Sequence, residues 1–380
     1  MQVGLFDHVE HGERPLSLLF DERLKFAEAA DAAGIYCLHI AEHHATPLNL
    51  APVPGVYLGA LARTTRRMRL GPLVYLLPLY SPLRMVEEIC MLDHLSHGRL
   101  EVGVGRGVSP YELSFHKVAH DDSRDIFVDA FNCISAGLTT DTLTYRGKHF
   151  VYENVPIALR PLQQPHPPFW YASSSAIGAT WAGAQGLHFV TLGPTRSAKA
   201  SIDAYRDALA KRGAPAQPKP EFAGGAVIGL SRYIFVAESD ADARRIAAPA
   251  LEAHVAHVKW LATRHGDTGL TSRLNLSFGA SYEDAVAHGT VIAGTPEQVL
   301  IEIEWQAGML GINYLLSYLF LGNMTARRRV ALARSVQHRG HAAPGKALTV
   351  IPRRHAAASR ASISAGAGLW IPALTTLGLE

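Results

Sequence analysis

Short apolar runs alternate with segments of helical period along most of this chain. Residues 3–6 predict a strand. Leu24, Ala27, Ala30 and Ala33 recur at helical spacing and predict a helix over 22–33, which Gly34 ends. A strand over 35–41, a small-residue helix over 53–63 and a long apolar strand over 68–77 follow. Pro82 opens a helix whose buried face is Met85, Ile89 and Leu92. Further on come a strand over 100–104 and a helix over 124–138. Residues 139–150 read as an inserted hairpin turning near Arg146 and Gly147. Strands over 167–172, 188–192, 226–237, 291–293 and 313–318 then alternate with helices over 176–184, 198–211, 240–262 and 295–307.

About eight strand–helix units predict an α/β protein with a (β/α)8 TIM barrel. An open doubly wound sheet stays as the alternative, because strand order is not written in the pattern. Residues 327–368 are rich in Ala, Arg, Ser and Gly and lack an apolar stripe. The expected division is therefore a barrel domain over 1–323 and an atypical basic tail over 324–380, disordered or aberrant.

Composition alters this picture little. With 48% hydrophobic and 18% charged residues the chain is of ordinary globular type. It shows no signal-type N-terminus and no apolar run of bilayer length. Cys37, Cys90 and Cys133 lie in apolar surroundings, which predicts buried reduced thiols and a cytoplasmic protein. The net charge of +3 conceals an asymmetry. Residues 324–380 hold eight arginines and Lys346 against Glu380 alone, a net +8, so residues 1–323 carry −5. A mildly acidic body does not predict nucleic-acid binding.

The candidate chemistry sits where predicted strands end, since ligands bind at the carboxyl edge of parallel sheets. Residues 34–44 read as a strand that delivers Glu42, His43 and His44 to such an edge, with imidazole suited to proton transfer near neutral pH. His39, Glu42 and His43 also match the H-x-x-E-H zinc-peptidase pattern. That chemistry needs a helix, whereas strand residues alternate faces. Gly103, Gly105 and Gly107 resemble half a dinucleotide fingerprint, but Val108 stands at the sixth position and Pro110 interrupts an immediate helix. The glycines read better as a strand passing close to something flat, with Arg106 at its end. Arg124 falls in a first helical turn, and Ser173, Ser174 and Ser175 open another helix. Arg106, Arg124, Ser174 and Ser175 together would hold a phosphate. Tyr57, Tyr75, Tyr111 and Phe115 are candidates for lining a substrate pocket.

Several segments, in order, resemble the bacterial luciferase-like flavin monooxygenases. They are residues 27–34, Ala41-Glu42-His43-His44, residues 82–88, Leu92-Asp93-His94-Leu95-Ser96-His97-Gly98-Arg99, Gly103-Val104-Gly105-Arg106-Gly107, Asp122-Ser123-Arg124 and residues 294–299. The resemblance implies a barrel that binds reduced FMN, delivered by an NAD(P)H:flavin reductase, and a homodimer. It implies oxygenation of a small organic substrate by O2 through a flavin C4a-(hydro)peroxide. It makes His43 the acid/base, places Arg106, Arg124, Ser174 and Ser175 around the FMN phosphate, and puts a non-prolyl cis peptide at Leu73 and Val74 under the flavin ring. No metal is implied. Gly105 stands where luciferases carry a reactive cysteine, and Ser174 where the family has an acid, so a substrate other than the light-emitting one is expected. The tail lacks the family's acidic amphipathic helix, which suggests a replaced or frame-shifted C-terminus. Alternatives are an F420-dependent oxidoreductase of the same fold, a zinc peptidase using His39, Glu42 and His43, and a non-catalytic flavin-binding protein.

Overall fold

The computed structural model describes residues 1–12, 14–278, 281–318 and 321, with the side chains of residues 275–278 excepted. The expected tail over 324–380 lies outside them. In chain order the elements are β1 (Gln2–Asp7), α1 (Leu16–Ala32), β2 (Cys37–Ile40), α2 (Pro54–Thr64), β3 (Arg69–Pro72), β4 (Tyr75–Leu76), α3 (Pro82–Leu95) and β5 (Val102–Gly105). Next come α4 (Pro110–Phe115), α5 (Ser123–Thr139), β6 (Thr142–Arg146), β7 (Val151–Pro156), β8 (Phe169–Ala172), α6 (Ala176–Gln185), β9 (His188–Thr191) and α7 (Thr195–Arg212). The last are β10 (Ile228–Val236), α8 (Asp240–Arg264), α9 (Thr268–Phe278), α10 (Tyr282–Ala287), β11 (Val291–Gly294), α11 (Pro296–Leu310) and β12 (Tyr314–Tyr318).

The main sheet is parallel, in the order β3-β2-β1-β12-β10-β9-β8-β5-β4, with β11 added beside β10. β3 and β4 are halves of one stave, interrupted at the Leu73–Val74 peptide, which is cis. A parallel bridge between Leu70 and Leu100 brings the two ends of the order together. The expected single strand over 68–77 is therefore two short ones, and the ring is a barrel rather than an open sheet. The hairpin is β6 with β7, longer than predicted but turning at the predicted place. Three helices went unpredicted: α4, α9 and α10 are short or polar and carry little helical periodicity. At α11 the Thr295–Gln298 capping box and Pro296 fix the start where the sequence puts it.

Interior side chains plug the barrel. Trp170 of β8 is fully buried, with His39 of β2, His188 of β9 and Tyr314 of β12 packed edge-on around it at 5.0–5.4 Å. Below them Glu101 is wholly buried. It accepts from the Trp170 indole and from Arg69, and pairs with Lys219 at 2.6 Å. Burial alone would raise the Glu101 pKa; Arg69 and Lys219 overcome that and hold it at about 2. Lys219 comes from the segment after α7 and also donates to Tyr36 at 2.9 Å, so the amino end of the barrel is closed by charge. The three cysteines are buried and unbridged, as expected. Among the described residues no helix is long and apolar enough to cross a membrane.

Removing one member of a buried ion cluster strands the others without solvent, at a cost of about 3–5 kcal/mol. Glu101→Gln is therefore expected to lose about that much stability in urea denaturation. A loss below 1 kcal/mol would show that Lys219 and Arg69 find water or other partners.

Candidate active site at the barrel mouth

Four strand ends meet at the carboxyl edge. After β2, three residues act on different neighbours. Glu42 is buried; it accepts from the Leu76 backbone N–H at 3.0 Å and from the Tyr80 hydroxyl at 2.9 Å, and its Oε1 lies 2.8 Å from His44 Nε2. His43 Nδ1 meets Glu112 Oε1 at 3.2 Å, and the His44 backbone N–H donates to Glu112 Oε2 at 3.0 Å. Glu112 sits on α4, which Ser109 caps. Burial by itself would lower the His43 pKa, but Glu112, Glu42 and Glu10 outweigh it and raise the pKa above its ordinary value. Ala45, directly after this run, is in the left-handed region at φ 54°, uncommon outside glycine.

β1 ends similarly. His8 stacks on His43, with ring centroids 5.5 Å apart and an interplanar angle of 23°. Glu10 Oε1 meets His254 Nδ1 at 2.6 Å, and its Oε2 meets His257 Nδ1 at 2.9 Å, both on α8. Between them Val9 is fully buried at φ 52°. A β-branched residue there is strained, and such strain persists only when the surroundings impose it. Asp7 helps impose it: Oδ1 accepts from the Val9 N–H at 2.7 Å while Oδ2 pairs with Arg23 at 2.8 Å.

β5 and β8 form a second wall, with the β3–β4 stave between it and β2. Val104 is in register with Tyr171, so continuing both strands places Arg106 level with Ser173. Arg124 stands in the first turn of α5. Burial raises the Tyr171 pKa while Arg124 and Arg106 both lower it, so the two guanidiniums lie within electrostatic reach of one ring. Neither arginine has an ion-pair partner among the described residues. Ser174 and Ser175 are exposed, and the Ser175 hydroxyl accepts from the Gly178 N–H to cap α6. Unpaired guanidiniums beside a hydroxyl-rich helix N-terminus suit an anion such as a phosphate.

The glycine strand does pass close to something, and that something is the neighbouring stave. A Cβ on Gly103 would lie 2.4 Å from the Pro72 carbonyl oxygen and 2.9 Å from Leu73 Cα; one on Gly105 would lie 2.3 Å from Val74 Cγ2. A side chain at 105 would therefore require the Val74 side chain to shift. Leu73 is buried and Val74 half-buried, with the cis bond between them at this seam.

The zinc-peptidase set does not converge. His39 points into the barrel, 3.1 Å from the Tyr314 hydroxyl, while Glu42 and His43 turn to separate partners at the mouth. Extended backbone is the cause: it sets residues four apart about 13 Å from each other, where one helical turn would bring them to about 6 Å. Two pocket candidates are likewise displaced. Tyr57 packs into the core, and Tyr75 is buried with its hydroxyl on Glu88 at 2.6 Å. Tyr111 donates to Asp267 at 3.1 Å and stacks on His265, with Phe115 exposed nearby. Sequence inspection missed Glu112, His8, Glu10 and His254. Ser109-Pro110-x-Glu112 is a capping pattern that could have placed Glu112. His8 and Glu10 follow the first strand just as His43 follows the second.

The sequence profile of the family described as luciferase-like monooxygenase matches residues 1–310. An uncharacterised protein of Sinorhizobium fredii, y4wF, is 35% identical over 337 residues, which is 89% of this chain and 95% of that one. The oxygenase component of a flavin-dependent trigonelline monooxygenase from Acinetobacter baylyi is 27% identical, over 64% of this chain and 67% of that one. Among solved structures, the oxygenating constituent of 3,6-diketocamphane monooxygenase from Pseudomonas putida, in complex with FMN, superposes with a TM-score of 0.67. It is 20% identical and covers 84% of this chain and 92% of that chain.

The His43–Glu112 contact makes a pH prediction. Glu112→Gln removes the largest charge favouring the imidazolium, so the His43 pKa should fall. Any activity that needs protonated His43 should then lose its alkaline limb at lower pH than in the wild type. Imidazole titration by NMR checks this, and an unchanged His43 pKa would show that Glu112 is only a structural contact.

Proposed function

The chain belongs to the luciferase-like monooxygenase family, and from this we propose that it is an FMN-dependent monooxygenase acting with O2 on a small organic substrate. Reduced flavin would come from a separate NAD(P)H-dependent reductase, consistent with the relative named as an oxygenase component. The observation that carries the proposal is the pairing of two walls across one mouth. One wall offers unpaired Arg106 and Arg124 beside Ser174 and Ser175; the other offers a carboxylate-backed imidazole, His43.

In this proposal the guanidiniums of Arg106 and Arg124, the hydroxyls of Ser174 and Ser175 and the free N–H groups of α6 bind the FMN phosphate. Leu73 and Val74 give the ring an apolar seat at the β4–β5 seam. Reduced FMN supplies the electrons and the activation of O2. His43 Nδ1–H donates to Glu112, which fixes the ring and leaves Nε2 as the atom that exchanges a proton with bound reactants. His44 and Glu42 hold each other and the β4 backbone, and so keep the β2 end in place. Substrate identity rests with the mouth lining, where α4 and the Tyr111–His265 stack stand over the site.

Anaerobic titration with reduced FMN and with reduced F420, followed by O2, tests this proposal. Saturable binding of reduced FMN is expected. Loss of one charge-assisted contact, worth about 1.5–3 kcal/mol, should make Arg106→Ala bind about 10–100-fold more weakly. His43→Ala should keep its FMN affinity and lose about 10²–10⁴-fold in oxygenation rate. Binding of F420 but not FMN would move the function to hydride transfer. If His43→Ala leaves every flavin-linked activity intact, the protein binds flavin without using this residue.

A further inference from the structure

Beside His43 lies a cluster that the flavin chemistry does not use. One ligating atom each from His8, Glu10 and His254 fall within 4.8 Å of one another, and all three side chains are buried. His8 Nδ1 is buried and has no hydrogen-bond partner among the described residues, although a polar group without one is costly to bury. The surrounding contacts hold the other two members in place. Glu10 presents Oε1 to His254 Nδ1 at 2.6 Å, while its Oε2 is fixed by His257 at 2.9 Å. His254 Nε2 meets the Tyr233 hydroxyl at 3.0 Å, so Nδ1 is the nitrogen turned to the cluster. The strained Val9 and its tie to Asp7 fix the turn that carries His8 and Glu10.

We propose that His8, Glu10 and His254 form a binding site for one first-row divalent cation of borderline softness, such as Zn2+ or Co2+. Two imidazole nitrogens and one carboxylate oxygen suit such ions, whereas Mg2+ and Ca2+ favour all-oxygen sets. In the ion-free chain a proton between Glu10 and His254 holds that pair together. The cation takes the proton's place and draws in His8 Nδ1. His254 then donates Nε2–H to Tyr233, the usual outer support of a ligating histidine, and His257 does the same for Glu10. Three protein ligands leave positions open to water or to an oxygen donor in the mouth.

The test is equilibrium dialysis of the full-length, chelator-treated protein against Co2+, with bound metal counted by mass spectrometry and the visible d–d absorption recorded. The expected result is one Co2+ per chain with a ligand-field spectrum. His8→Gln and His254→Gln should each abolish that spectrum, and His257→Gln should weaken binding about 10–100-fold. The chain has 19 histidines, so metal uptake that is unchanged in His8→Gln overturns the proposal, as does absence of stoichiometric binding to the wild type. Should His254→Gln fail to fold, His8→Gln decides, because its Nδ1 has no hydrogen bond to lose. The readout does not depend on flavin, so failure here leaves the monooxygenase proposal standing.

Discussion

The barrel depends on one close approach of main chain to main chain, where the β3–β4 stave lies against β5. Gly71 would place a Cβ 1.8 Å from the Glu101 carbonyl oxygen, and Gly103 and Gly105 admit Pro72, Leu73 and Val74 in the same way. Without those three bare positions the Leu70–Leu100 bridge could not form and the ring would gape at this seam. The same contact sets the chemistry above it. It fixes the end of β5 that carries Arg106, and it holds Leu76, whose N–H anchors Glu42. Closure and site construction are therefore one event.

The mouth divides into two electrostatic halves. On the β1 and β2 side, imidazoles are backed by carboxylates: His43 by Glu112, His44 by Glu42, His254 and His257 by Glu10. On the β5 and β8 side, two guanidiniums have no carboxylate partner among the described residues. Those imidazole–carboxylate pairs satisfy one another, so the first half, apart from the lone His8 Nδ1, is suited to moving protons. The second half is left to attract an anion from outside. An interior of Glu101, Lys219, Arg69 and Trp170 separates both from solvent at the far end of the barrel.

Much of this was legible in the sequence. The alternation of strand and helix gave the barrel, Pro82 gave a helix start, and Gly34 gave a helix stop, because each signal lies within a few residues of its effect. The place of the Leu73–Val74 cis bond followed from resemblance, whereas Arg106 and Arg124 were read from their positions at a strand end and in a first helical turn. What escaped was long-range. Glu112 reaches His43 across 69 residues, and Glu10 reaches His254 across 244, so no local pattern links them. Tyr57 and Tyr75 misled because an apolar ring at a strand end or on a helix reads the same whether it faces a pocket or the core. The Gly103–Gly105 run was read correctly as a close approach, but the approaching body is the neighbouring stave.

That seam also restricts the ways in which this protein can evolve. Val74 fills the space that a side chain at 105 would need, so the two positions form a coupled pair. A thiol at 105 would be met most easily together with a smaller or shifted residue 74, so changes at the two positions should be coupled. α4, by contrast, sits outside the staves of the ring, and single changes on its exposed face need not disturb the barrel. New specificities should therefore accumulate on the rim, while the seam stays frozen by its own packing.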